Sequence, residues 1–298
     1  MTTIEPNTAD DLATPRRDRL RRAFFRFSQS RLSMLGAAIV AVVIFFTVFG
    51  TILAPYPEHV AGSVDTASRF MAPSVAHPFG TNELGQDVLS LVMAGTTVSV
   101  LAGFGVVLIG SVIGTLVGAV AGFAKGWVDE VLMRLTDLTL TIPGLILAMA
   151  IAAALGSGFG NMVIAIALSW WPGYARLVRG EVLAAREEVY VTAARALGAT
   201  PKRILFRHIL PNVVSPIIVK MSLDMGFAIL TVAGLGFIGI GVRPPTPEWG
   251  TLLSVSRSYM PDYWWTAMAP GMAMFLAVFG FNLLGDGLRD ILDPKARR

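Results

Sequence analysis

Residues Arg176 to Pro211 read RLVRGEVLAAREEVYVTAARALGATPKRILFRHILP, a polar island between apolar runs of membrane length. The island carries Arg176, Arg179, Arg186, Arg195, Lys202, Arg203 and Arg207 against Glu181, Glu187 and Glu188. Arg186 to Leu197 is built mostly from Ala, Glu, Arg and Leu, so a helix is expected there. Gly198 follows, the residue type that tolerates the left-handed dihedrals of a helix C-terminus. Thr200 can accept from the first free N–H groups of a second helix, and Pro201 suits its first position, where a missing N–H costs nothing. That helix runs through Arg203 to Leu210, with Pro211 marking its end or a kink. The stretch thus reads as a helix–turn–helix elbow over residues 181–210, with Ala193, Ala194 and Gly198 at its bend. Small residues let another protein approach closely while the surrounding charges set its orientation, which makes a docking knob. The plainer reading is an ordinary connecting loop.

The whole chain explains where such an elbow would sit. Its 298 residues are 54% hydrophobic and 15% charged, with mean hydropathy +0.64, too apolar for a soluble globule. There is no cysteine, hence no disulfide framework and no thiolate chemistry. Six spans are expected, at about 33–54, 97–123, 135–156, 161–178, 212–241 and 264–285, each near the roughly 20 residues a bilayer core needs. The expected fold is therefore an all-α integral membrane protein of six transmembrane helices, with residues 1–32 as an N-terminal tail and 33–298 as the membrane domain. In the second span Gly110, Gly114, Gly118 and Gly122 form one bare stripe suited to close helix packing. Arg16 to Arg31, with seven arginines among Leu20, Phe24, Phe25 and Phe27, reads either as a basic amphipathic helix on anionic lipid or as a flank orienting the first span. The apolar run Leu35 to Leu53 is longer than the core of a cleaved signal peptide.

Positive residues set the orientation. With the N-terminus inside, 20 of the 24 Lys and Arg fall on inner segments and three on outer loops, Arg69, Arg243 and Arg257; Lys220 lies within a span. Both termini and the elbow are expected in the cytoplasm, and the basic pI of about 9.7 reflects this topology rather than nucleic-acid binding. The first outer loop contains HPFGTNELGQDV, residues 77–88, after which Asp87 opens a run DVLSLVMAG expected to lie on the outer surface. The second holds PPTPEWG, residues 244–250, and leads into an interfacial aromatic belt of Tyr259, Tyr263, Trp264 and Trp265.

These motifs carry a resemblance. Thr192-Ala193-Ala194, three residues, Gly198, then Ile209-Leu210-Pro211 resembles the EAA loop of ABC-importer permeases. Thr192 stands at the glutamate position, and His208 at the first apolar position with Ile209 one residue later. HPFGTNELGQDV, GLGFIGIGVRPPTPEWG and FNLLGDGLRDILDPK resemble the dipeptide/oligopeptide/nickel class of these permeases, on the "C" subunit side, with Gln86 where that class usually shows arginine. The resemblance covers about Arg22 to Lys295. It implies a permease subunit of an ATP-driven, binding-protein-dependent importer, most simply for dipeptides or oligopeptides. It also implies a homologous second permease, two cytoplasmic ATPases and an external solute-binding protein, in the bacterial inner membrane. The elbow would be the coupling helix, its ATPase contacts falling on Glu187, Glu188, Thr192, Ala193, Ala194 and Arg195. Gly198, Ala199, Thr200, Pro201 and Pro211 would complete them.

Little points to chemistry within this chain. No GxxxxGK[S/T] occurs, so this chain is not expected to bind ATP itself; the resemblance implies that the partner ATPases bind ATP and magnesium, and no cofactor or metal is assigned here. Gly234-Leu-Gly236-Phe-Ile-Gly239 spells GxGxxG but lies in an apolar span without βαβ context. The histidines 59, 77 and 208 lack ligand spacing, and no catalytic residue stands out. Lys220 and Asp224, four apart in the fifth span, share a helix face and read either as lining for a polar, zwitterionic substrate path or as a self-neutralising pair. Asp286, Arg289 and Asp290 are expected to be structural, packing beside the elbow. The alternative from another class is a secondary transporter or polytopic enzyme independent of ATPases, for which intramembrane carboxylates and an inverted repeat would be expected.

Overall fold

The computed structural model describes residues 27–292 of the 298, and every regular element among them is a helix. In order they are α1 (Arg31–Phe49), short α2 (Pro57–Val60), α3 (Val88–Ala124), α4 (Gly126–Thr141), α5 (Gly144–Leu155), α6 (Phe159–Ala185), α7 (Val189–Ala196), α8 (Pro201–Ile238), α9 (Trp249–Ser256) and α10 (Trp265–Leu292), with single 3-10 turns at Thr66–Ser68 and Arg257–Tyr259. Most of the basic segment expected over Arg16 to Arg31 lies outside the described residues, as do Asp293 and all that follows; residues 27–29 are helical.

Against the six spans expected, four helices among the described residues, α1, α3, α8 and α10, are long and apolar enough to cross a membrane, and a fifth candidate is α4 and α5 taken together, bent by 92°. The bend falls inside the expected span 135–156. Pro143 has no N–H to continue a helix and forces its predecessor away from helical dihedrals, and Ile142 is extended at φ −91°, ψ 128°. The fourth expected span corresponds to α6, long enough at 27 residues but diluted by Asn161, Pro172, Gly173, Tyr174, Arg176 and Arg179. Protein surrounds it on several sides, and Ile166, Tyr174, Ala175, Val178 and Val182 are fully buried.

Two expected boundaries move. The run after Asp87 is no separate surface helix: it is the first turns of α3, with Val88, Leu91 and Val92 buried. Asp87 caps that helix, its Oδ2 accepting from Ser90 N at 2.8 Å and Ser90 Oγ at 2.7 Å. The helix of the fifth span likewise starts earlier, at Pro201, because the second helix of the elbow runs unbroken into it.

The glycine stripe joins α3 to α6, the most extensive helix pairing in the bundle. A Cβ on Gly114 would lie 2.4 Å from the Trp171 carbonyl oxygen and from Tyr174 Cβ; on Gly118 it would lie 2.3 Å from the Ala175 carbonyl oxygen. Gly122 would meet Arg179 O at 2.9 Å. Backbones approach this closely only where no side chain intervenes, and the gain is close packing that lipid cannot supply. The last helix, α10, crosses α8 and α1, with Gly280 against Ile39 and Gly285 against Leu223.

Candidate functional site

The elbow is built in three short pieces. α6 ends at Ala185, and the chain turns through Arg186 to Glu188 before α7 begins at Val189, so the helix expected from Arg186 starts three residues later. At the far side of α7 the turn forms as the residues dictate. Gly198 sits at φ +79°, its N–H bonding to Arg195 O at 3.0 Å and the Ala199 N–H to Ala194 O at 3.1 Å. This closes the free carbonyls of α7 in a Schellman motif. Nothing lies within 4 Å of a Cβ at Gly198, so the dihedral alone asks for glycine. Thr200 Oγ1 then accepts from Arg203 N, and Pro201 takes the first helical position.

Pro211 does not end this second helix. Immediately before it, Ile204–Ile209 widens to π-helical geometry, with the Leu210 N–H reaching back to Leu205 O. Proline removes one helical N–H, and a wider turn accommodates the register it leaves. The inner side of the elbow is a small apolar core of Val178, Val182, Val191, Ile204, Leu205, Ile209 and Val213. Val191 plugs α7 into that core while Val189 of the same helix is bare, a difference the two identical residue types do not reveal in the sequence. Tyr190 Oη accepts from Asn212 Nδ2 at 3.1 Å and ties α7 to α8.

The outer side faces away. Glu187, Glu188, Thr192, Ala193, Arg195, Gly198, Thr200, Pro201 and Pro211 are exposed, and Ala194 and Ala199 half-buried. Beside them stand three large apolar side chains that sequence reasoning passed over, Val189 at 82%, Leu197 at 88% and Phe206 at 60% exposure. They leave the outer face of the charged elbow partly apolar. The base is braced by ion pairs from α4 to α6, Arg179 Nη2 to Asp129 Oδ2 at 2.7 Å and Arg176 Nη2 to Asp137 Oδ1 at 2.6 Å.

Higher in α8, Lys220 Nζ lies 3.0 Å from Asp224 Oδ2 and 5.0 Å from the centre of the Tyr174 ring. The pair is half-buried, and Tyr174 brings α6 to it. The helix end that carries Asp286, Arg289 and Asp290, expected beside the elbow, packs on α1 and on the membrane part of α8, with Gly287 against Ser33 and Gly285 against Leu223.

The end of the bundle opposite the elbow holds a polar knot. His59 and His77, distant in sequence, meet at Asp87: His77 Nδ1 lies 3.0 Å from Asp87 Oδ1, and His59 Nδ1 accepts from Asp87 N at 2.9 Å. Gln86, where the resembling class shows arginine, donates to Ser63 O at 2.9 Å and accepts from Asn82 Nδ2 at 2.9 Å. Glu248, fully buried, caps α9 through Gly250 N and Thr251 N, both at 2.8 Å, and accepts from Ser99 Oγ at 3.2 Å. Burial pushes its carboxyl above the usual range, and those donors pull it back. The glycine pattern at 234–239 serves this contact, since a Cβ on Gly236 would lie 2.2 Å from Glu248 Oε2. A cavity of about 360 Å³ separates α9 from the knot.

Comparison with known proteins agrees with this geometry. Residues 110–298 match the family described as binding-protein-dependent transport system inner membrane component, and residues 19–73 match the N-terminal TM domain of oligopeptide transport permease C. The chain is 44% identical to the probable D,D-dipeptide transport system permease protein DdpC of Escherichia coli (strain K12), over 90% of this chain and 89% of that one. It is 42% identical to the glutathione transport system permease protein GsiD of Pectobacterium atrosepticum, over 91% and 90% of the two chains. A chain from the inward-facing MetNI methionine ABC transporter shares the fold at a TM-score of 0.54 and 17% identity, covering 67% of this chain and 96% of that one. The chain belongs to the binding-protein-dependent transport system inner membrane component family and is a permease subunit of an ABC importer.

Proposed function

We propose that this permease forms half of a peptide-importing pathway, the other half being a homologous permease. Its elbow docks in the cytoplasm on one of two ATPase subunits, which bind ATP and magnesium. The observation that carries the reading is the elbow itself: a base braced by ion pairs and a small apolar core, presenting bare Val189, Leu197 and Phe206 beside the small-residue bend. A solute-binding protein delivers substrate at the opposite end. ATP-driven closure of the ATPases displaces the elbow, and the spans pass from an outward- to an inward-facing state without a chemical step on this chain. Peptide as substrate rests on the relatives, whose names specify a D,D-dipeptide and glutathione, both small peptides. Lys220 and Asp224 would line the path, a pair able to exchange partners with a zwitterion. Orientation follows from charge, with 20 of 24 Lys and Arg on the elbow side or the tails.

The test is affinity purification in mild detergent with the chain's own operon expressed. Recovery of a second permease and two ATPases, with peptide-stimulated ATP hydrolysis, is expected. A chain that purifies alone and monodisperse would sink the assembly and bring the secondary-transporter reading forward.

A further inference from the structure

Arg186 lies where α6 ends and the elbow begins, yet its side chain is only 11% exposed while that of Glu187 is 74% exposed. It turns back from the elbow and donates from Nη1 to the Gly122 carbonyl at 3.0 Å, in the last turn of α3. A helix leaves its final carbonyls without an N–H partner and carries negative potential there, so a guanidinium suits the position. Lys125, just past α3, and Arg186 share Glu187 Oε1, at 3.7 and 3.8 Å. Arg186 Nε is buried and makes no hydrogen bond. A nearly buried guanidinium with one neutral acceptor and one long, solvent-exposed ion pair is a poor stabiliser; an apolar residue of similar length would pack there at lower cost. Its geometry does something else: it bolts the start of the elbow to the end of α3, beside the stripe where α3 and α6 lie so close that a Cβ on Gly122 would meet Arg179 and Val182.

We infer that Arg186 is a positioning residue that makes α3 and the elbow move as one body, so that a push on the elbow displaces the α3 span. The inference rests on the elbow being the ATPase-docking element. The chain has no cysteine, which leaves it free for paired labels at Ala124, ending α3, and Ala196, ending α7. Spin-label distances would be measured in the assembled importer, nucleotide-free and vanadate-trapped, alongside transport per ATP hydrolysed. In the otherwise unaltered chain the Ala124–Ala196 distance should be the same in both states. In Arg186→Gln it should differ between states or broaden, and transport per ATP should fall. Arg186→Lys, which can still reach the carbonyl, should recover most of both. A state-dependent distance with Arg186 in place would overturn the inference whether or not any variant assembles. So would an Arg186→Gln importer with unchanged distances and unchanged coupling. If the elbow does not dock an ATPase, that failure shows in the purification above, before any distance is measured.

Discussion

Replacing the stripe glycines by alanine should loosen the bundle, and the structure sets the size of the effect. A Cβ on Gly114 or Gly118 would lie 2.4 or 2.3 Å from a carbonyl oxygen of α6, where ordinary contact begins at 3.4 Å. The obstacle is backbone on both sides, so no side chain can swing away, and the helices must part by about 1 Å, the difference between 3.4 and 2.4 Å. Overpacking of this kind costs about 1–3 kcal/mol. Against it stands the roughly 0.5–1 kcal/mol that alanine gains over glycine within a helix. The net expectation for Gly114→Ala or Gly118→Ala is a loss of up to about 2.5 kcal/mol, never a gain. Gly180 on α6 and Gly234 on α8 supply the control, because a Cβ there meets nothing within 4 Å. Alanine at either should stabilise by roughly 0.5–1 kcal/mol. Reversible unfolding in mixed micelles with rising SDS, followed by the fluorescence of Trp170 and Trp171 beside the stripe, reads all four variants. If the stripe variants shift in the same direction and by the same amount as the controls, α3 and α6 do not meet as described.

Gly198→Ala should cost about 1 kcal/mol through the dihedral alone, and Gly198→Arg should insert normally yet abolish uptake; normal uptake by the arginine variant would remove the elbow from the mechanism. Lys220→Ala and Asp224→Ala should each impair transport by roughly 1–3 kcal/mol, below the fully buried range because the pair is half-exposed, and the double change should restore part of it. Strictly additive losses in that cycle would show the two residues acting apart. A cysteine replacing Thr246 should react with an impermeant maleimide on intact cells and one replacing Thr200 should not, and the reverse pattern would invert the orientation.

What could be read without coordinates was local chemistry. Gly198, Thr200 and Pro201 act on their own backbone, so their turn was legible one residue at a time, and the stripe was legible because a four-residue spacing repeats on one helix face. The break at Ile142 was hidden because both sides of it are apolar, and hydropathy does not register a change of direction. The start of α3 was placed too late for a related reason: its first turns are buried by protein at the end opposite the elbow rather than by lipid. His59 and His77 looked unrelated because only a folded loop brings them to Asp87. Arg186 looked like one more surface charge, since nothing in a sequence says that a long side chain turns back on the preceding helices.

The π-helical stretch at Ile204–Ile209 fixes a phase as well as accommodating a proline. A π turn spends one residue more than an α turn, and one residue of helix corresponds to about 100° of rotation about the axis. Everything before it on the chain is therefore set at a different azimuth from everything after it. Were one residue deleted there and the helix made regular, Val191 could not face its pocket while Lys220 and Asp224 kept theirs. The direction in which the elbow points is thus encoded as a count of residues, and a length change of one at this place would turn the elbow where no substitution could.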